Sequence, residues 1–469
     1  MCGLSGMLGA PEPSIVKKMI QAQNHRGPDG SGIWYDESVC LGHARLAIVD
    51  LEGSPQPIQS QEGNVLIANG EIYNFEKLRS EFKSYNWRSS SDTEVLLHAI
   101  QEWGLEKTLK KCYGMFALAL WNKKEKKLIL AKDRFGQKPL YWGKVRLKDF
   151  DDPVIVFASD LSAIWSIPGV EQKINYDAFS DFLKNGYISA PKSIQHDINQ
   201  LSPGHYIEIS KKNFYSHEIL ENQVCWWDIK KISKDCFESQ NNNSNIFSLE
   251  EALKEVLKEQ KLADVPVASL LSGGIDSSLI TAILQSQSSK KVKTFNISFP
   301  DSGNSEILFD EGPFASKIAR YLGTDHNEIK LSKNNVQDII PQITNIYSEP
   351  FADVSQIATY LICQEIRNSD VKVALSGDGA DELFGGYNRH IYLPLIYKNF
   401  KNIPNFFKSS LAKIIKFYPF NNKYLAQERN RKFIDCILSS EEIECMYDNT
   451  LSNNRETKFF HKYPNKFKD

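Results

Sequence analysis

The second half of the chain alternates helix and strand so regularly that few folds remain open to it. From residue 249, LEEALKEVLKEQKL is amphipathic at helical spacing, VPVASLL is a short apolar run of strand type, and SSLITAILQS returns to helix. The pattern continues through KTFNISF, FASKIARYLG, HNEIKLS, QIATYLICQEIRN and VKVALSG. Strands separated by helical crossovers predict a parallel sheet with helices on its faces. Ligands in that architecture bind at the carboxyl ends of the strands. The residues just after VPVASLL and VKVALSG are therefore the places to look for chemistry.

Both places carry unusual sequence. LLSGGIDSSLI reads as strand, glycine turn and helix start. Gly273 and Gly274 let the backbone approach an anion, the free amides of the helix start favour negative charge, and Ser272, Ser277 and Ser278 add hydroxyl donors. Asp276 makes sense beside phosphates if a Mg²⁺ ion lies between them. There is no Walker-type GxxxxGKS/T, so this is not a P-loop. An ordinary strand-to-helix turn would account for SGG alone, whereas SGGxDSS in this setting points to phosphate. The second segment, ALSGDGADELFGGYNRH, crowds Asp378, Asp381 and Glu382 among glycines. A solvated acidic loop is one reading and a cation–nucleotide site the other, since close carboxylates repel without a cation. The flanking Leu375, Leu383 and Phe384 predict a loop that is not fully exposed, which favours the second.

The first half, to about residue 210, has a different texture. LGHARLAIVD, NVLIANGEIY, MFALALWNKKEKKLILAKD and VIVFASD are β-rich runs bounded by turns, with a hairpin expected at NKKE. SDTEVLLHAIQEWG predicts a helix with acidic residues in its first turn and a stop at Gly104. Such a pattern suits stacked antiparallel sheets covered by helices. The chain opens MCGLSGMLG, with a thiol directly behind the initiator methionine. Cys2 is either an idle thiol or, once Met1 is removed, a nucleophile bearing its own base. An α-amine of pKa about 7.7–8.0 could accept the proton of a thiol of pKa about 8.5.

Composition removes other classes. The 469 residues suffice for two or three domains, and a net charge of −2 provides no global field to recruit nucleic acid. The apolar runs fall short of the ~18 residues that span a bilayer. Eight scattered cysteines without a CxxC pair read as reduced thiols, so a cytoplasmic location is expected. QNNNSN reads as a flexible loop near a domain boundary, and the lysine-rich last seventy or so residues as solvated faces.

SGGIDSS resembles the pyrophosphate-binding loop of the ATP pyrophosphatases. With MCGLSG, NHRGPDGSG, HARLAIVD, NGEIYN, SDTEV, GMFALALW, KDRFGQKPLYW and FASDLSA preceding it in order, the chain resembles the glutamine-hydrolysing asparagine synthetases from residue 2 to about residue 390. The resemblance implies an α+β N-terminal domain of stacked antiparallel sheets covered by helices, of the Ntn-hydrolase type, then an α/β parallel-sheet domain of the ATP pyrophosphatase type. The implied boundaries are 2–210 for the glutaminase, 211–248 for a connecting segment and 249–469 for the ATP-binding domain.

By the same resemblance Cys2 is the glutaminase nucleophile. Arg45 faces the glutamine α-carboxylate, with Leu46, Ala47, Ile48 and Val49 lining the same site. Asn69 and Gly70 supply oxyanion donors, and Glu71 and Asp92 hold the substrate, Asp92 at its α-ammonium. Leu271, Ile297, Ser376 and Gly377 match positions that contact ATP, together with Ser272, Gly273, Gly274, Asp276, Ser277 and Ser278. Asp276 and Asp381 match ligands of the magnesium–pyrophosphate group, and Asp378 falls where many relatives carry a catalytic Glu. The implied reaction frees ammonia from glutamine through a thioester at Cys2. ATP activates the aspartate β-carboxylate as an acyl-adenylate with loss of pyrophosphate, and ammonia displaces AMP.

The implied partners are glutamine, aspartate, ATP and Mg²⁺, with no nucleic acid and no membrane, and a homodimer is compatible. One departure stands out. The family's LPDDLLxKxDRxSMA-type motif is missing after residue 390, so a chain lacking the family's C-terminal part is expected. Two alternatives follow: an acceptor other than aspartate, such as a surface-polysaccharide sugar carboxylate, or a truncated protein retaining only glutaminase or nucleotide binding.

Overall fold

The computed structural model describes residues 1–210, 214, 222–238, 246–299, 310–353, 355–417 and 424–451. In chain order its strands are β1 (Gly3–Leu8), β2 (Gly30–Tyr35), β3 (Val39–Arg45), β4 (Ile58–Gln59), β5 (Val65–Ile72), β6 (Gly114–Asn122), β7 (Lys127–Lys132) and β8 (Tyr141–Val145). They continue with β9 (Val154–Ala158), β10 (Ile198–Gln200), β11 (His205–Ser210), β12 (Val224–Cys225), β13 (Val267–Leu270), β14 (Lys293–Ser298), β15 (Asp325–Lys330) and β16 (Val373–Leu375).

The first twelve strands form two antiparallel sheets, ordered β10-β8-β9-β1-β3-β2 and β12-β11-β7-β6-β5-β4. The expected hairpin closes β6 onto β7 with Asn122 opposite Lys127, its turn ending at Lys126 with φ of 49°. Period-two alternation explains the stacking. Leu4 and Leu8 of β1 meet Leu130 and Ile207 of the other sheet in a buried layer, while Met7 points to the opposite face. There it meets Val16 and Met19 of helix Pro13–Ala22. The second sheet's outer face, with Leu66 and Leu118, is covered by Val95, Leu96 and Ile100 of helix Asp92–Trp103. Each fully buried leucine of these layers contributes about 1.5–3 kcal/mol. The result is helix, sheet, sheet, helix. Helix Asp92–Trp103 starts where Ser91 Oγ accepts the Glu94 N–H at 3.2 Å and stops at Gly104, whose φ is 81°.

The last four strands form a wholly parallel sheet ordered β15-β14-β13-β16. Helices Ile275–Ser286, Gly312–Leu322 and Ser355–Asn368 make the crossovers. One apolar layer joins Ala268 and Phe295 to Ile362 and Ile366, and another joins Leu257, Ile283 and Leu284 to Leu375. β13, buried in the middle, carries the SGG segment at its carboxyl end. The fold class expected from the sequence is the one observed.

By compactness the chain divides into two units. The first comprises residues 1–179, 188–350 and 354–375 and contains all three sheets. The second comprises residues 180–187, 351–353 and 376–469. Its described helices Asn388–Phe400, Asn405–Phe417, Tyr424–Leu438 and Ile443–Leu451 include a small core of Leu393, Cys436 and Met446. QNNNSN and the end of the basic tail lie outside the described residues. The eight cysteines are all free. Among the described residues no helix is long and apolar enough to cross a membrane.

Candidate active site

Cys2 stands one residue before β1, half-buried at its start. Its Sγ accepts the Leu46 N–H at 3.3 Å and lies 3.6 Å from the Leu46 carbonyl oxygen, to which it donates. The thiol is thus held by main chain leaving β3. Burial pushes the Cys2 thiol up, with the Leu46 hydrogen bond and the amino terminus opposing. A standing thiolate is therefore disfavoured, and reaction requires a base in the step. The amino terminus is the adjacent candidate. Burial, reinforced by Arg26 and Lys138, lowers the amine of Met1, the residue preceding Cys2, to about 5, so the pocket at this terminus disfavours a protonated amine.

β5 brings up the next group. Asn69 is 1% exposed, and neither its Nδ2 nor its Oδ1 has a hydrogen-bond partner. A buried carboxamide left unpaired costs about 1–3 kcal/mol, so this one is built to meet a ligand. Gly70 follows with φ of 152°, and a Cβ there would lie 1.9 Å from the Met115 carbonyl oxygen. Only glycine fits. Asp92 is buried and Glu71 partly so, with their carboxylates close enough to interact. Burial raises both, and the Asp92 charge raises Glu71 further. Asp92 Oδ2 accepts the Ile72 N–H at 2.8 Å. A cation entering between such carboxylates relieves their repulsion, as a substrate ammonium would.

Arg45, at the end of β3, donates from Nη1 to the Leu51 carbonyl at 2.9 Å and from Nη2 to the Asp50 and Val49 carbonyls at 2.5 and 3.5 Å. The guanidinium therefore braces the segment Val49–Leu51, and about two of its five N–H donors remain for a carboxylate. Its charge reaches Cys2 and Glu71. The sequence-assigned glutamine residues are in this way brought to one end of β1, β3 and β5.

The SGGIDSS loop is equally ordered. Leu271, 1% exposed, donates its N–H to the Phe295 carbonyl at 2.9 Å and extends β13 by one step. Ser272 Oγ accepts the Gly274 N–H at 3.2 Å and lies 2.9 Å from Ser277 Oγ. Gly273 has φ of 83°, and a Cβ would stand 2.7 Å from the Ala315 N. Gly274 caps helix Ile275–Ser286 with no side chain over the amides, and Asp276 lies in the first turn. Ser278 Oγ is buried without a partner. Open amides, an orphan hydroxyl and a glycine cradle are what a phosphate group takes up. Ile297 lies in β14, partly buried on the same sheet.

The second loop departs from expectation. Leu383 is 72% and Phe384 58% exposed, and only Leu375 is packed. The cause is local: Ala380–Phe384 is a five-residue helix between left-handed Gly379 and Gly385, with no buried residue of its own. Within it Ser376 Oγ donates to Asp378 Oδ2 at 2.9 Å. Gly377 follows Ser376, and Gly386 donates its N–H to the Asp381 carbonyl at 3.0 Å, so the loop closes on itself.

Two family models match the chain: a glutamine amidotransferase domain over residues 1–219 and asparagine synthase over residues 248–462. Asparagine synthetase (glutamine-hydrolyzing) 1 of Bacillus subtilis is 32% identical over 441 residues, covering 89% of this chain and 64% of that protein. A Methanocaldococcus jannaschii protein, provisionally named asparagine synthetase (glutamine-hydrolyzing) 2, is 30% identical over 424 residues, covering 83% of this chain and 76% of that one. The chain belongs to the glutamine-hydrolysing asparagine synthetase family. It spans 64% of the length of the Bacillus subtilis relative. The asparagine synthase match runs to residue 462, beyond the limit near residue 390 expected from motifs. Among solved structures, a Bacillus subtilis glutamine phosphoribosylpyrophosphate amidotransferase complexed with ADP and GMP matches at 16% identity, covering 80% of this chain and 81% of that one. Its TM-score of 0.35 is too low to bear on the fold.

Two cationic residues that the motifs contain but sequence reasoning missed also lie at the Cys2 end of β1. Arg26, in NHRGPDGSG, donates from Nε to the Cys2 carbonyl at 3.2 Å. Lys138, in KDRFGQKPLYW, is 5% exposed with Nζ 2.9 Å from Met1 Sδ. Burial first, then Arg26, lowers Lys138 to about 8. A cation kept in a buried segment was the signal available. Magnesium is a separate matter. Among the described residues no group of three or more His, Cys, Asp or Glu is arranged to hold a metal. One or two carboxylates with phosphate oxygens suffice for Mg²⁺, and Asp276 beside the open helix start fits that donor set.

Proposed function

We propose that the protein hydrolyses glutamine at Cys2 and uses the ammonia to amidate an ATP-activated carboxylate, with aspartate as the acceptor and asparagine as the product. The observation that carries the reading is the buried, unpartnered Asn69 carboxamide, on the strand that also presents Gly70 and Glu71, together with a Cys2 thiol held by the Leu46 main chain. With Met1 removed, the Cys2 α-amine takes the thiol proton, and the sulfur attacks the glutamine amide carbon. Asn69 and Gly70 donate to the developing oxyanion. Arg45 takes the α-carboxylate, and Asp92 with Glu71 the α-ammonium. Collapse to a thioester releases ammonia, and water then frees glutamate.

In the second reaction Ser272–Ser278 would bind the ATP phosphates, with Leu271, Ile297, Ser376 and Gly377 at the nucleotide. Asp276 and Asp381 would hold Mg²⁺, which offsets phosphate charge, and Asp378 would assist the transfer. The carboxylate displaces pyrophosphate from ATP and ammonia displaces AMP. We assign residues 2–210 to the glutaminase, 211–248 to the connection and 249–469 to the ATP-binding domain. The test incubates the purified protein with glutamine, ATP, Mg²⁺ and aspartate and follows glutamate, AMP and asparagine. All three products support the reading; AMP only with another carboxylate reassigns the acceptor; glutamate alone removes the ligation. A Cys2→Ala protein that still releases glutamate refutes the nucleophile.

A further inference from the structure

The loop that holds the Cys2 thiol is bonded on its other side to the parallel sheet. Asp264 donates its N–H to the Ile48 carbonyl at 2.9 Å, and its Oδ2 accepts the Asp50 N–H at 2.7 Å. β13 starts three residues later and ends at the Ser272–Ser278 segment. Lys372, one residue before β16, places Nζ 2.7 Å from Asp29 Oδ2 and 3.5 Å from the Ala47 carbonyl. The same Asp29 oxygen accepts the Ala47 N–H at 2.9 Å. The Lys372 and Asp29 side chains are only 29% and 26% exposed. β13 and β16 are neighbours, with Val267 opposite Val373, so the loop is fastened to the amino ends of two adjacent strands.

We infer that Asp264 and Lys372 are positioning residues through which nucleotide at the carboxyl end of β13 sets the conformation of the glutamine loop 46–50. The inference rests on the glutamine and nucleotide sites proposed above. Its physical basis is that β13, at about 3.3 Å per residue, is a short stiff element. It ties the Ser272–Gly274 segment at its carboxyl end to the short link at its amino end that carries Asp264, so a displacement imposed by phosphate binding has a direct main-chain route to that residue. Coupling through shared elements is reciprocal, so glutamine would alter ATP affinity by the same factor.

The test is hydrogen–deuterium exchange on the full chain with and without ATP and Mg²⁺, with glutamate release measured in parallel. In the unsubstituted protein ATP·Mg²⁺ should change exchange at both 272–278 and 46–50, and shift the glutamine KM by roughly fivefold or more. In Asp264→Ala and Lys372→Met the change at 272–278 should persist while that at 46–50 and the KM shift are lost. Asp264→Asn and Lys372→Arg, which keep the acceptor and the charge, should restore both. An ATP response at 46–50 that is unaltered in the variants overturns the inference. So does its absence from the unsubstituted protein when 272–278 responds. Silence at 272–278 itself overturns the nucleotide reading, and the inference with it.

Discussion

Gly70→Ala isolates the geometry on which glutamine hydrolysis depends. Gly70 pairs with Phe116 across β5 and β6, and the added methyl would lie 1.9 Å from the Met115 carbonyl oxygen and 2.6 Å from the Phe116 Cα. Both are main-chain atoms in the middle of a sheet, so no side chain can swing aside. Reaching even 3.0 Å requires the strands to part by about 1.1 Å at this point. The φ of 152° adds strain for any residue with a Cβ. Strain of about 1–3 kcal/mol together with a weakened ladder hydrogen bond of about 1 kcal/mol gives a loss of roughly 2–4 kcal/mol. That is a large part of the ~5–15 kcal/mol of a typical domain. Asn69 moves with its neighbour, and a misplacement of about 1 Å costs on the order of 100-fold in rate. The assay is glutamate release beside AMP formation driven by ammonium salts, with thermal melting monitored on the same samples. The expected result is a fall of about 100-fold in glutamate release, a lower Tm, and ammonia-driven AMP formation retained below the melt. Unchanged glutamate release and Tm would refute the close-approach reasoning.

Three further outcomes are expected. Glu71→Gln should raise Tm at pH 7, because burial and then the Asp92 charge push the Glu71 carboxyl up and make its ionised form costly to the fold. The gain should vanish as pH falls below the ordinary carboxyl value of 4.5, where both proteins are neutral at that position, and glutamate release should fall throughout; a Tm gain that persists at low pH would contradict the assignment. Gly273→Ala, with φ of 83° and a methyl 2.7 Å from the Ala315 N, should weaken ATP-dependent AMP formation by about 10-fold or more while sparing glutamate release. Alkylation of Cys2 by iodoacetamide, read as loss of glutamate release, should still accelerate at pH 9, since burial raises the thiol above its ordinary value; a plateau near neutral pH would show a stabilised thiolate instead.

Much of the site was legible before folding because it is local. SGGIDSS forms a strand end, a turn and a helix start from consecutive residues, so its open amides follow from spacing alone. Helix Asp92–Trp103 begins and ends at the Ser91 and Gly104 signals. Leu383 and Phe384 are exposed against the expectation from their hydrophobicity, which predicts burial only where an element is long enough to present a face, and Ala380–Phe384 is barely more than one turn.

The alternation of helix and strand by itself determined the parallel sheet, and β-rich runs between turns determined the antiparallel pair, because side-chain periodicity is a property of the chain. Tertiary structure alone decided which groups share one site. Arg26 reaches the Cys2 carbonyl across 24 residues, and Lys372 reaches Asp29 across 343. It also decided protonation. Asn69, Glu71 and Lys138 are ordinary residues in the unfolded chain, and become an orphan amide, a raised carboxyl and a lowered ammonium only when packing removes the water around them.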